Sequence, residues 1–346
     1  MQSLEKTQLQ LGYIPLLDCI ALLWADHRGY FKQVGLDVTL VKEASWASLR
    51  DRLAFGILDG AHCLAGILPA ATLGVDQIGI ALKAPLVLSQ NTAFISLSQK
   101  RCYELDISAT DTPQQSADKL VHHLKLGQQI RLADVFKHSI HHYCLKNWLA
   151  LADDAFAQQF QLKTLPPPYM VDALRQGNID GFCVSEAWHT EAKLAGLSNI
   201  IVTATSVIPN ICDKVFAVTA EWAEQHPNTL IALTAALMQA QDELRDIQDY
   251  SEVWHMLQDY KIIRFECSAS VHVEHYYHIQ SIIRSAMGRA SIPSQQDFEW
   301  YFEQLAKWEK IDISASNVAQ LSAECVESNS FNAAKKLQQR LFAALN

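Results

Sequence analysis

The sequence lacks the short motifs of the common nucleotide-binding and hydrolytic enzymes. It contains no G-x-G-x-x-G after its first strand-like segment, no G-x-x-x-x-G-K-[ST], no G-x-S-x-G and no H-E-x-x-H. These motifs build dinucleotide sites, phosphate loops, serine nucleophile elbows and zinc protease sites. Their absence disfavours all four classes and gives no positive indication of an enzyme.

Cysteine pairs at metal-binding or redox spacing are also missing. The 8 cysteines of the 346-residue chain occur singly, and no C-x-x-C is present. This spacing excludes a zinc ribbon and a thioredoxin-like site. Scattered single cysteines in a long chain are typical of buried thiols in a reducing compartment.

Positive charge and long apolar runs are scarce. The chain has 28 Lys and Arg against 37 Asp and Glu, a net charge of −9, which makes non-specific nucleic-acid binding unfavourable. The most apolar stretch, 61–75, contains His62 and Pro69 and is shorter than the roughly 20 residues of a membrane span. The N-terminus has neither a basic nor an apolar leader region. We therefore expect a cytoplasmic protein without direct nucleic-acid contacts, or a periplasmic one if an upstream signal was removed.

What is present is typical of a globular chain. Hydrophobic residues make up 49% and charged residues 19%, and the mean hydropathy is +0.01. This composition excludes a mostly disordered protein. At roughly 100–200 residues per domain, the length predicts two domains.

Strand and helix patterns alternate in two blocks. The predicted strands are 8–14, 35–43, 57–64, 129–136, 160–166 and 180–188, and the predicted helices are 18–31, 45–56, 139–153 and 170–177. Asp18, Ser45 and Ser139 are predicted N-caps, and Gly29 and Gly177 are predicted helix ends. This alternation predicts βαβ units with parallel sheets. A further strand and helix start lie in 214–227, and from Pro227 onward the pattern is nearly all helical.

Several side chains near strand ends suit a small anion. Trp46 opens a helix after a strand, which places an indole N–H beside a helix N-terminus. Lys214 begins a strand, His141 lies near a helix N-terminus, and Ser185 ends a strand. Two alternatives stay open, since Trp46 also fits a core position and Lys214 a surface charge.

Two groups of histidines have spacing that a metal site can use. The groups are His138, His141 and His142, and His272, His275 and His278. The first has no carboxylate at ligand spacing, and the second drifts around its helix, so neither indicates a complete ligand set. We expect no metal and no cofactor.

Several motifs occur in an order that identifies a family. They are 12-GYIPLLD-18, 35-GLDV-38, 45-SWASLRD-51, 56-GILDGAH-62, 164-TLPPPYMVDALRQGNIDGFCVSEAW-188, 213-DKVFAVTAEWAEQHP-227 and 300-WYFEQLAKW-308. Together they cover most of the chain. The sequence resembles the substrate-binding proteins of nitrate and bicarbonate ABC importers and the related cytoplasmic nitrate sensors.

The resemblance implies an α/β, two-lobed fold of the periplasmic-binding-protein type II class with a helical C-terminal extension. The implied first lobe is 1–92 plus 209–346, the second is 93–208, and the ligand lies in the cleft between them. A branch of this fold makes the thiamine pyrimidine, but it needs a cysteine-rich motif that this sequence lacks. The resemblance therefore implies a binding protein.

The resemblance also implies ligand contacts. In nitrate binders of the family the ligand is held by residues that correspond to Trp46, His141 and Lys214. Bicarbonate binders have an acidic residue and a calcium ion where this sequence has Lys214, so the lysine favours nitrate or nitrite without a metal. Thr92 stands where the family has a glutamine, and Ser185 where it has a glycine. Both are expected to line the ligand site.

Two roles are implied. In the first, the protein is a cytoplasmic nitrate or nitrite sensor that binds an RNA-binding antitermination protein and releases it when the anion is present. In the alternative, it is the solute-binding component of a nitrate or nitrite ABC importer, and its partner is a membrane permease. The missing leader region and the scattered single cysteines favour the sensor.

Overall fold

A computed structural model describes residues 3–267, 270–289 and 291–342 of the chain. The strands are β1 (Gln8–Tyr13), β2 (Asp37–Lys42), β3 (Gly60–Leu64), β4 (Leu82–Gln90), β5 (Ala93–Ser98), β6 (Leu132–Asp134), β7 (Lys163–Thr164), β8 (Gly181–Ser185), β9 (Ser198–Thr203) and β10 (Cys212–Thr219). The α-helices before β10 are α1 (Ile20–His27), α2 (Tyr30–Gln33), α3 (Trp46–Ala54), α4 (Ile67–Thr72), α5 (Gln99–Glu104), α6 (Pro113–Lys125), α7 (Ile140–Ala152), α8 (Asp154–Gln159), α9 (Met170–Arg175) and α10 (Trp188–Leu194). Those after it are α11 (Ala220–Gln225), α12 (Pro227–Asp246), α13 (Ser251–Asp259), α14 (Val273–Ile282), α15 (Gln295–Glu309), α16 (Ala315–Glu324) and α17 (Ser328–Phe342).

The chain forms two compact units. The first comprises the residues up to Gln90, Cys212–Ile263 and the residues from Tyr276 onward. The second comprises Asn91–Ile211 and Arg264–His275. Each unit is built on one five-stranded sheet with helices packed against it.

The first unit has the strand order β2-β1-β3-β10-β4. β1 is parallel to β2 and β3, whereas β10 runs antiparallel to both β3 and β4. The prediction of a parallel sheet is therefore wrong for β10 and its neighbours β3 and β4. The reason is that β10 is inserted between two strands from the N-terminal part of the chain after the chain has passed through the second unit.

The second unit has the order β7-β6-β8-β5-β9. β6 is parallel to β7 and β8, while β5 is antiparallel to β8 and β9. This sheet is mixed as well. Glycine is needed at Gly181, where β8 pairs with β5, because an added Cβ would lie 2.5 Å from Leu97 Cδ2 and 2.6 Å from the Ser96 carbonyl oxygen.

Local signals placed most helix starts correctly. Ser45 and Ser139 each cap a helix by accepting a hydrogen bond from the backbone N–H three residues on, which confirms both predicted N-caps. Gly29 follows α1 with a φ of 69°, as its predicted role at a helix end requires. Asp18 was wrongly predicted as a cap. It lies in a short 3-10 turn, Leu17–Cys19, and makes no cap hydrogen bond.

The C-terminal region is helical, as predicted. Helices α12 to α17 follow β10 and α11, and α15 begins after Pro293 with a capping box formed by Ser294 and Asp297. Among the residues that the structure describes, no helix combines the length and the apolar character that crossing a membrane requires.

Candidate functional site

Lys214 lies inside the first unit. It is the third residue of β10, between β3 and β4, and its side chain is completely buried. Its Nζ is 2.6 Å from Asp213 Oδ2 and 3.1 Å from Asp18 Oδ2, and both carboxylates are completely buried too. The surface-charge alternative for Lys214 is therefore wrong.

The charge of Lys214 is retained by its neighbours. Burial alone lowers the pKa of the ammonium, but attraction to Asp18 and Asp213 outweighs this effect and raises the pKa above its ordinary value. The ammonium is thus compensated by two carboxylates before any ligand binds. The role of Lys214 as a ligand contact stays a prediction.

Trp46 is buried beside the same ammonium. It is the first residue of α3, and Lys214 Nζ lies 5.8 Å from the centre of its rings. Its indole Nε1 is buried and has no hydrogen-bond partner among the described residues. A buried indole N–H normally has a partner, so this donor is available to a ligand.

His62 and Ser89 complete this group. The His62 ring on β3 lies 5.4 Å from the Trp46 rings, and neither ring nitrogen has a hydrogen-bond partner within the described ranges. Burial is the largest influence on His62 and lowers its pKa to about 3, so the ring is neutral at pH 7. Ser89 on β4 pairs with Lys214 across the sheet, and its buried hydroxyl also lacks a partner in the described structure.

We call these residues the Lys214 cluster. Its members are Asp18, Trp46, His62, Ser89, Asp213 and Lys214. They come from the turn before α1, from α3 and from three adjacent strands. The cluster combines one ammonium, two carboxylates and three polar groups without described partners. Such a group of buried donors is suited to hold a small polar ligand.

Two predicted residues meet in the second unit. His141 is the second residue of α7 and Ser185 is the last of β8, and both are completely buried. His141 Nε2 lies 3.2 Å from Ser185 Oγ. Ser139 caps the same helix, which fixes the backbone that carries His141.

Thr92 lies near Ser185 in the pairing pattern. It directly precedes β5, whose first residue Ala93 pairs with Ser185 of β8. The Thr92 hydroxyl is buried and has no hydrogen-bond partner in the described part of the chain. In the second unit the structure thus places Thr92 next to the strand pair that ends at Ser185.

The first histidine group does not converge on one point. His142 Nδ1 lies 2.5 Å from Asp134 Oδ2, and His141 contacts Ser185 instead. His138 is buried as well. Within the described ranges, no three His, Cys, Asp or Glu side chains are placed to hold a metal ion.

Sequence reasoning missed Asp18, His62 and Ser89 as members of the site. Asp18 and His62 do lie inside the motifs 12-GYIPLLD-18 and 56-GILDGAH-62, so a signal was present. A charged and a titratable residue next to apolar strands are unusual in a core. Ser89 carried a weaker signal, because a serine near a strand end is common.

Comparisons with known proteins agree on one family. The model of the NMT1-like family matches residues 2–257. The bicarbonate transport ATP-binding protein of Synechocystis is 32% identical over 341 residues, which cover 93% of this chain and 49% of that protein. The nitrate import ATP-binding protein of Synechocystis is 31% identical over 90% of this chain and 47% of its own length. The nitrate/nitrite binding protein of Nostoc is 27% identical over 75% of this chain and 59% of its own length. The chain spans about half the length of the first two of these relatives.

Solved structures agree on the fold. The periplasmic nitrate-binding protein of Synechocystis superposes with a TM-score of 0.82 at 21% identity, over 98% of this chain and 91% of that one. The alkanesulfonate-binding protein of Xanthomonas axonopodis has a TM-score of 0.67 at 16% identity, over 94% of this chain and 99% of that one. The predicted α/β fold of the periplasmic-binding-protein type is confirmed, and so is the resemblance to proteins of nitrate and bicarbonate transport.

Proposed function

The chain belongs to the NMT1-like family, and on this basis we propose that it binds nitrate or nitrite and is a binding protein rather than an enzyme. The observation that carries the proposal is the Lys214 cluster, in which the buried Trp46 Nε1 and Ser89 Oγ have no described partner beside a buried ammonium. Unsatisfied buried donors are costly, and a small anion that accepts from them removes this cost.

In the second unit we assign His141, Ser185 and Thr92 as further ligand contacts. His141 Nε2 and Ser185 Oγ form a polar pair in a fully buried place. The Thr92 hydroxyl is a buried donor without a described partner. In the first unit we assign Trp46 and Lys214. All of these proposed contacts are N–H or O–H donors, which bind an anion directly without a metal.

Isothermal titration calorimetry of the full chain tests the ligand. We expect saturable binding of nitrate or nitrite that does not change when calcium is added or chelated. Bicarbonate binding that requires calcium would contradict the assignment of Lys214 as a group that replaces a metal. No heat with any of the three anions would contradict the proposed function.

A conservative substitution tests the site. Trp46→Phe keeps an aromatic ring beside Lys214 but removes the Nε1–H donor. A hydrogen bond to a charged group is worth about 1.5–3 kcal/mol, so nitrate affinity should fall by roughly 10-fold to 100-fold. Trp254→Phe is the matched control, because Trp254 Nε1 is also buried without a partner in the described structure, but it lies in α13. Equal affinities of the two variants would refute the site.

For the biological role we propose a cytoplasmic sensor that controls a protein partner of the antitermination type. The support is the state of the cysteines, since all eight lie in the described residues and are buried. Such thiols are typical of a reducing compartment. Size-exclusion chromatography of the purified chain mixed with a purified antitermination protein should show a complex that nitrate dissociates. A mixture that never forms a complex would contradict this role.

The alternative is the solute-binding component of a nitrate or nitrite ABC importer. It is favoured by the relatives, which include a protein named for nitrate import and one named for nitrate and nitrite binding. An importer component should bind its permease reconstituted in lipid vesicles, and nitrate should strengthen that binding. Cell fractionation separates the two roles, because the sensor stays in the cytoplasmic fraction.

A further inference from the structure

The Lys214 cluster has an unusual charge balance for an anion site. Asp18, Asp213 and Lys214 are all completely buried, and the two carboxylates exceed the one ammonium. These three side chains together carry a formal charge of −1. A bound anion would make it −2 among completely buried side chains, and excess buried charge is strongly unfavourable. A positive charge that arrives together with the anion removes this excess.

His62 is placed to supply that charge. The ring is completely buried, and neither nitrogen has a hydrogen-bond partner in the described ranges. The charged groups that act on it are Asp18, from the turn before α1, which favours protonation, and Lys214 of β10, which opposes it. Helix α3 also contacts His62, through the uncharged Trp46 rings, which lie 5.4 Å from the His62 ring.

We propose that the anion enters the Lys214 cluster together with one proton, and that His62 accepts this proton. The inference rests on the proposed function and deepens it. A protonated His62 has two N–H donors in place of one, and one of them can donate to the anion. The cluster with anion and proton then carries a charge of −1, the same as the empty cluster. No bond other than that of the proton to the ring nitrogen is made or broken.

The size of the effect is set by the charge of the anion and by the pKa of His62 in the empty site. That pKa is about 3, so His62 is neutral before binding down to strongly acidic pH. One unit of negative charge about 5–6 Å from the ring, at an effective dielectric constant of about 20, favours protonation roughly 100-fold. Nitrate affinity should then be about fourfold higher at pH 4.5 than at pH 7.

Titration calorimetry at the two pH values tests the proposal with nitrate, because nitrate remains an anion throughout. Repeating each titration in two buffers with different ionisation enthalpies gives the number of protons taken up. We expect almost none per nitrate at pH 7 and about 0.7 at pH 4.5. Circular dichroism at pH 4.5 verifies that the chain is folded.

Two variants identify the proton acceptor. His62→Gln should bind nitrate with the same affinity at both pH values and take up no proton. His226→Gln is the control, since it makes the same change at a histidine stacked on Trp222 outside the cluster. Should His62→Gln fail to fold, the NMR chemical shifts of the His62 ring in the parent chain, with and without nitrate at pH 4.5, report its protonation directly.

The outcomes separate the two proposals. Nitrate binding that does not change with pH would overturn the proton uptake and leave the proposed function intact. Proton uptake that persists in His62→Gln would overturn the assignment of His62, because a carboxylate then accepts the proton. Absence of nitrate binding at both pH values would overturn both.

Discussion

Replacing Lys214 with methionine tests the electrostatics of the Lys214 cluster. Methionine is of similar length but has no ammonium, and it leaves the Asp18 and Asp213 carboxylates completely buried without their described cation. Removing one partner of a buried ion pair costs about 3–5 kcal/mol. Because two carboxylates lose this ammonium, we expect the free energy of unfolding to fall by the upper value, about 5 kcal/mol. Urea unfolding followed by circular dichroism measures this loss.

A triple variant serves as the control. Asp18→Asn and Asp213→Asn, combined with Lys214→Met, leave no charge at the three positions, so much of the lost stability should return. A loss below about 1 kcal/mol in Lys214→Met alone would refute the reasoning, because it would mean that the carboxylates are not held as ions beside the ammonium. The single variant is unsuitable as a test of ligand binding, since its effect on stability would obscure the effect on affinity.

Three further predictions concern stability. Because the pKa of His62 is about 3 in the folded state and 6.5 in the unfolded state, the unfolded chain takes up the proton first as the pH falls. The free energy of unfolding should then decrease by about 2 kcal/mol between pH 7.5 and pH 5. The variant His62→Gln should not show this decrease. If its unfolding free energy depends on pH as strongly as that of the parent chain, the prediction is wrong. Ser139→Ala should lower the free energy of unfolding, measured with urea, by about 1 kcal/mol because the helix loses its cap, and Ser45→Ala should lower it by a similar amount. An unchanged stability in both variants would contradict the capping contacts. Gly181→Ala should cost roughly 1–3 kcal/mol, because its Cβ would lie 2.5 Å from Leu97 Cδ2, and a variant as stable as the parent would show that β5 can shift.

The sequence alone predicted those features that depend on residues close together in the chain. Ser45 and Ser139 were identified as caps because their hydrogen bonds are made to residues three positions away. Asp18 has the same local features, yet its role depends on Lys214, which is distant in the chain and adjacent in space. A rule based on neighbouring residues cannot distinguish a cap from the partner of a remote ammonium.

The antiparallel insertion of β10 was missed for the same reason. The sequence pattern predicts a strand within 214–227, and the structure has it at Cys212–Thr219, but the strand's neighbours are set by tertiary packing. The family resemblance supplied Trp46, His141 and Lys214 as ligand residues. It did not supply the two carboxylates that compensate Lys214, and that charge balance is seen only in the structure.

The position of β10 also determines when the first unit can be completed during synthesis. β10 pairs with β3 and β4, but the whole segment Asn91–Ile211 is translated after β4 and before β10. Until Cys212–Thr219 leaves the ribosome, β3 and β4 lack the strand that separates them, and Asp18 lacks its ammonium. Most of the second unit can fold first, because its main segment is continuous. A nascent chain that stalls before Cys212 therefore exposes open strand edges, which are the usual templates for aggregation.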